Sequence, residues 1–268
     1  MRITCACLLL AFAACSDDGL PDSTQGRTGR TDISIESNAP LGAECFIECG
    51  ITEPFLVGTR EELSVHMHGQ LDASSPALPE LRAASSDPSV MTVVDHPCCI
   101  AAGVGQGNGC TDRASYDRCI ANGGSPGSLF AMSVELHAPG TAHLVLYSAD
   151  DPVYDQFIIT AHDASSVEVQ RQNPAHSYAF EHVDSLDTVD KATIRLVARD
   201  QSGQVLYGTR GGTMTISGDA ASFYGKWTST DEQTYGQTYT ELWRMKAGNG
   251  VLVGRAGDAT VAVPVTTR

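Results

Sequence analysis

Gly123-Gly124-Ser125-Pro126-Gly127 has the Gly-x-Ser-x-Gly spacing of a hydrolase nucleophile elbow. That chemistry needs a strand before the serine and a helix after it, so that the hydroxyl stands exposed on a strained turn. Here a cysteine-rich loop precedes Ser125, a strand-like run follows, and no Asp–His partners can be assigned, so the match reads as a Gly/Ser loop. His66 and His68 lie two apart, on the same side of an extended chain, a spacing that can bind a transition metal. The plainer account is the polar face of a strand opposite Leu63, Val65 and Met67. Asp150, Asp151 and Asp155 form one acidic cluster; Asp184, Asp187 and Asp190 form another. Calcium favours such oxygens, but neither cluster has the spacing and Gly of a calcium loop. Solvated loops explain both, and the interdomain region near Asp163 and Asp184 is the better of two poor candidates. Tyr224, Trp227, Tyr235, Tyr239 and Trp243 could stack on a sugar or anchor a protein partner. Core packing explains Trp227 and Trp243 more simply. No phosphate-binding glycine loop or paired catalytic carboxylates occur, so the sequence predicts no enzyme, no cofactor and no metal.

The cysteines carry the clearest chemistry. Arg2 precedes an apolar run from Ile3 to Phe12, and Ala13-Ala14-Cys15 follows. This is the layout of an export signal, too short for a membrane span of about 20 residues. Phe12-Ala13-Ala14-Cys15 resembles a bacterial lipobox, which implies that Cys15 is lipidated and becomes the new N-terminus; the alternative is an ordinary signal cleaved elsewhere. Cys5 and Cys7 leave with the signal. Cys45, Cys49, Cys98, Cys99, Cys110 and Cys119 remain, an even number that reads as disulfides in an exported chain. Adjacent Cys98 and Cys99 would be strained as a pair. Cys110–Cys119 is expected to close a local loop, with Cys45 and Cys49 reaching Cys98 and Cys99. The rival is a zinc site, but the usual Cys-x2-Cys knuckle is missing.

The formal net charge is −15, and −16 once Arg2 is removed. Phosphate backbones are bound by clustered Lys and Arg, so a basic patch for nucleic acid is not expected. Apolar residues make up 42 % of the 268, enough for one large or two ordinary cores.

The elements that position these residues read as strands. Residues 16–43 are polar and predict a flexible tether. Beyond about residue 44, short alternating runs appear at 63–68, 90–94, 129–137, 142–147 and 157–161. A second set spans 167–169, 192–198, 213–217, 239–245, 251–253 and 259–265. Helical periodicity is nearly absent, which argues for sandwiches. Val57-Gly58, Leu63-Ser64-Val65, Ser85-Ser86-Asp87-Pro88-Ser89-Val90 and Pro139-Gly140-Thr141-Ala142 occur in that order. This pattern resembles the bacterial immunoglobulin-like domains (group 2) of intimin- and invasin-type surface proteins. The second half echoes it in Trp227-Thr228-Ser229-Thr230-Asp231, Gly250-Val251-Leu252-Val253 and Gly257-Asp258-Ala259-Thr260-Val261. Two departures stand out: Arg82-Ala83-Ala84 replaces the family's Trp, and the cysteine-rich stretch looks like an insertion.

The expectation is an all-β chain of two tandem immunoglobulin-like sandwiches after a signal peptide and tether. Its parts are a signal at 1–15, a tether at 16–43, a first domain at 44–163 with an insertion at 97–128, and a second at 164–268. The halves are expected to fold independently about a boundary at 162–168. The expected role is an envelope-displayed structural or adhesive protein, held to the membrane by an N-terminal lipid at the outer membrane or cell surface. Its ligand would be a protein or glycan, on loops such as the insertion. The alternative is a carbohydrate-binding or substrate-capturing lipoprotein.

Overall fold

The computed structural model describes residues 24–36, 48–68, 79–100, 108–110, 112–175, 180–208, 212–223, 232–235 and 240–268. Cys15 and Cys45 lie outside them, as do Tyr224, Trp227 and Tyr239 and the side chains of Cys49, Cys110 and Tyr235.

The first half holds β1 (Thr24–Gln25), β2 (Thr31–Glu36), β3 (Glu48–Cys49), β4 (Phe55–Leu56), β5 (Arg60–Met67), β6 (Arg82–Ser85), β7 (Met91–Ile100), β8 (Asn108–Cys110), α1 (Arg113–Ala121), β9 (Ser125–Leu136), β10 (Gly140–Tyr147) and β11 (Asp155–His162). One sheet runs β1-β2-β5-β9-β7-β8, and β4-β11-β10-β6 faces it. The second half holds β12 (Ser166–Gln172), β13 (Phe180–His182), β14 (Leu186–Thr188), β15 (Lys191–Arg199), β16 (Gly212–Ser217), β17 (Ala221–Phe223), β18 (Glu232–Tyr235), β19 (Thr240–Arg244), β20 (Gly248–Ala256) and β21 (Ala259–Thr267). Its sheets run β13-β12-β15-β19-β17 and β14-β21-β20-β16-β18.

The two halves share one plan. β2-β5-β9-β7 corresponds to β12-β15-β19-β17, and β4-β11-β10-β6 to β14-β21-β20-β16. In each, a short strand, β4 or β14, pairs in parallel with the last strand of its half. This is the A-B-E-D sheet facing G-F-C of an immunoglobulin sandwich. Alternation builds the cores. Leu63 and Val65 of β5 face inward with Ile33 and Ile35 of β2, and Leu144 and Leu146 of β10 close the core from the other sheet.

The resemblance motifs work as turns. Asp87 accepts from Ser89 N and Oγ, and Val90 N donates to Asp87 O, launching β7. Gly58 (φ 84°) and Gly140 (φ 152°) take conformations closed to most side chains. A Cβ at Gly140 would also come within 2.9 Å of Val90.

Two expectations fail, and the insertion proves to be built of regular elements. Residues 24–36 are not tether: β1 and β2 pair and add to β5. Ile33 and Ile35 are buried in the core, so the alternating Thr31-Asp32-Ile33-Ser34-Ile35 is a strand set in a polar context. Within the 97–128 insertion the described residues form regular elements. β7 and β9 stay paired through Cys99↔Pro126 and Ile100↔Ser125, past the end of β5, forming a ribbon at the pole away from the second half. α1 packs on it, capped by Asp112, which accepts from Ser115 N. Finally, Cys119 bonds Cys99, not Cys110. The helix lays Cys119 over β7, whereas Cys110 sits across the ladder from Cys98. Cys98 is disulfide-bonded as well.

Candidate functional site

The chemistry-bearing residues of the sequence do not converge. Ser125 opens β9 and follows α1, the reverse of the strand–turn–helix order an elbow requires. His68 lies just past β5. Its Nε2 is 2.7 Å from Asp32 Oδ2 and its Nδ1 2.9 Å from Gly29 O, and this pairing with Asp32 raises its pKa. His66 is exposed on the strand. No group of three His, Cys, Asp or Glu among the described residues is placed to hold a metal.

The acidic clusters are engaged in structure. Asp151 pairs with Arg30, Asp187 with Arg268, and Asp184 with His182. Asp155 is fully buried and accepts from Thr28 N, Arg30 N, Gln156 N, Thr31 N and Thr31 Oγ1. Burial pushes its pKa up, but the donors from Thr28, Gln156 and Thr31 outweigh that, and the carboxyl ends below its ordinary range. Trp243 is not core: Leu242 takes the inward place in β19, leaving Trp243 39 % exposed. Its Nε1 donates to Glu241, and Lys191 Nζ sits 5.7 Å from the ring centroid.

What the fold does assemble is a junction. Two extended segments meet there, residues 54–57 and 205–208. Phe55 and Tyr207 form a parallel bridge, with Leu56 N donating to Tyr207 O and Tyr207 N to Pro54 O (2.8 Å). On its other edge the second segment pairs with β15, through Arg199↔Val205 and Leu206 N→Ala198 O. Alternation then sends neighbouring side chains to opposite domains. Phe55, Val57, Val205 and Tyr207 belong to the first core; Leu56 and Leu206 belong to the second.

Tyr207 is wholly buried, its ring 5.4 Å from Phe55. Its hydroxyl donates to Gly50 O at 3.0 Å and lies 3.0 Å from Thr52 Oγ1. Thr59 Oγ1 donates to Leu56 O, and a Cβ on Gly208 would come 2.8 Å from Leu56 Cβ, so the backbones are in close contact.

Polar groups frame the joint. His162 Nδ1 donates to Asp200 Oδ2 at 2.7 Å, and Gln204 Nε2 to Glu53 at 2.6 Å. Asp200 also accepts from Ser202 N, Ser202 Oγ and Gln204 N. The Ser202 hydroxyl leads these groups in holding its pKa down to about 2 against the opposing pull of burial. An open groove of about 770 Å³ runs beside the pair, between Pro139, residues 162–165, residues 200–202 and Gln204.

Sequence reasoning missed Leu56 and Tyr207. Their signal was a pair of uninterrupted apolar triplets, Phe55-Leu56-Val57 and Val205-Leu206-Tyr207, which mean burial on both faces rather than one.

The strand order and the closed joint define a tandem immunoglobulin-like sandwich protein. No family model and no curated protein matches the chain. Among solved structures it is similar to domains 5–6 of the S-layer protein SbsC, at 13 % identity over 81 % of this chain and 95 % of that one, TM-score 0.28. It is similar to the Yersinia pseudotuberculosis adhesin InvE at 12 % identity, over 80 % of this chain and 56 % of that one, TM-score 0.31. A glycosyl hydrolase family 2 member from Bacteroides cellulosilyticus gives 11 % identity, 89 % and 28 % coverage, TM-score 0.27. At these TM-scores the likenesses carry no functional argument, and the fold assignment rests on this chain's own strand order.

Proposed function

We propose that this chain is an envelope-displayed structural or adhesive protein without catalytic activity, anchored through a lipid on Cys15. The observation that carries the structural part is the joint. A connection of residues 163–165 would by itself permit bending, yet hydrogen bonds on both edges of residues 205–207 tie a sheet of the first domain to a sheet of the second. Domains joined by small polar contacts move relative to one another; here buried side chains pass in both directions. A stiff body of this kind suits holding a binding surface away from a membrane. The lipobox-like Phe12-Ala13-Ala14-Cys15 supports the anchoring, and the disulfides support export.

The anchoring is tested by metabolic labelling with a fatty acid. Label should enter the wild-type chain and be lost in Cys15→Ser; equal labelling of both removes the anchor from the proposal. The rigid-display part is tested by small-angle scattering of the soluble body. One narrow distribution of dimensions is expected, and a broad one would contradict a stiff body.

Half-exposed Trp243, held by Glu241 and Lys191, favours the alternative of a carbohydrate-binding surface lipoprotein. Binding on a glycan array that disappears in Trp243→Ala would establish that alternative.

A further inference from the structure

We infer that neither domain closes its core alone: each is completed by a side chain from the other, so a change at the joint is felt in the core of the opposite half. The inference goes beyond the display role and rests only on the joint. It therefore stands or falls separately from Cys15 lipidation.

The argument starts from strand alternation. An extended segment at the rim of one sandwich has one face toward that sandwich's core and one face toward solvent. Residues 54–57 and 205–208 have no solvent face at Leu56, Leu206 or Tyr207, because the second face of each segment is the other domain's core. Tyr207 comes from the second half and fills the first core beside Phe55; Leu56 comes from the first half and fills the second core. Removing either would leave a cavity in the opposite domain, and cavities are costly because their surroundings relax only in part.

The polar groups enforce the same register. The Tyr207 hydroxyl ends on Gly50 O, so the plug is seated by the segment leading into β4. His162–Asp200 and Glu53–Gln204 each join a residue of the first half to one of the second. A force or a fluctuation that separates the domains must pull Tyr207 from one core and Leu56 from the other at once. The joint is thus the latch that holds the two halves together, and the connection at 163–165 is not a hinge.

The test is hydrogen exchange resolved by segment, on the full exported chain, for wild type, Leu56→Ala and Tyr207→Ala. The expected pattern is crossed. Tyr207→Ala should speed exchange in β5 and β9 of the first half by roughly a hundredfold, and Leu56→Ala should do the same in β15 and β20 of the second half. Loss in the opposite half, alone or together with the residue's own half, supports coupling. Loss confined to the substituted residue's own half, or no loss in either variant, overturns it. Tyr207→Phe and Leu56→Val keep the fold if the alanine variants do not. Tyr207→Phe, which keeps the ring and loses only the hydroxyl bonds, should show the crossed pattern at under about tenfold. Both tryptophans, Trp227 and Trp243, lie in the second half. Their fluorescence should therefore report an earlier unfolding transition in Leu56→Val, a residue more than 160 positions away from either tryptophan.

Discussion

Asp155 shows how one residue can decide the fate of a segment. Its carboxylate gathers the backbone donors of the turn between β1 and β2, and a Cβ at Gly26 would lie 2.3 Å from its Oδ2. Asp155→Ala should strand several of those donors and cost on the order of 3 kcal/mol. Chemical denaturation would measure it, and exchange protection of β2 should fall first. A loss under about 0.5 kcal/mol would mean that the hairpin is held by Ile33 and Ile35 alone. Gly26→Ala should reproduce the effect sterically. Asp200 makes a pH prediction. A carboxyl with its folded-state pKa held down to about 2 contributes stability that is full above its unfolded value near 3.9. That contribution is lost as pH falls through about 2. The acid unfolding curve should therefore lose one component between roughly pH 4 and pH 2 in Asp200→Asn relative to wild type. Identical curves would show that His162 and Ser202 do not hold that charge.

At the scale of elements, the cysteine ribbon is the part that a reductant would alter. Cys99 and Cys119 are 20 residues apart, and closing a loop of that size removes about 3 kcal/mol of freedom from the unfolded chain. Cys99→Ser should lower the melting temperature and loosen α1, whose buried Tyr116 and whose Arg113, paired with Asp95 at 2.8 Å, tie it to the ribbon. Calorimetry with and without reductant would check this; an unchanged transition on reduction would mean that helix packing alone holds the ribbon. Much of this level is legible in sequence. Alternation marks β5, β10, β11, β15 and β21, and Gly58, Gly140 and Asp87-Pro88 mark their turns. β2 escaped because a strand of six residues with two isoleucines is too short to stand out from Ser, Thr and Asp neighbours. The Cys99–Cys119 pairing escaped because it depends on where α1 lies.

For the whole molecule, a net charge of −15 over the full chain predicts weak affinity for polyanions. The purified chain should not retard DNA in a gel shift at about 0.15 M salt. Retardation there would reveal a basic patch that the strand faces do not suggest. The candidate site is legible only at this scale. His162 and Asp200 read singly as loop residues, and Leu56 and Tyr207 as ordinary apolar ones; none announces a partner 38 or 151 positions away.

The sequence by itself determined the class of fold, the places where strands turn, the acidic balance and the presence of cysteines able to pair, because each is set by local alternation, turn chemistry or composition. Tertiary structure alone decided what covers each apolar face. The Asp155 carboxylate reaches back 124 residues to Thr31, and the Tyr207 hydroxyl reaches 157 residues to Gly50. Alternation records that a face must be buried but carries no information about which distant segment buries it. Two sandwiches on a short connection and two sandwiches sharing their cores are therefore nearly the same string of residues, distinguished by the apolar triplets at 55–57 and 205–207.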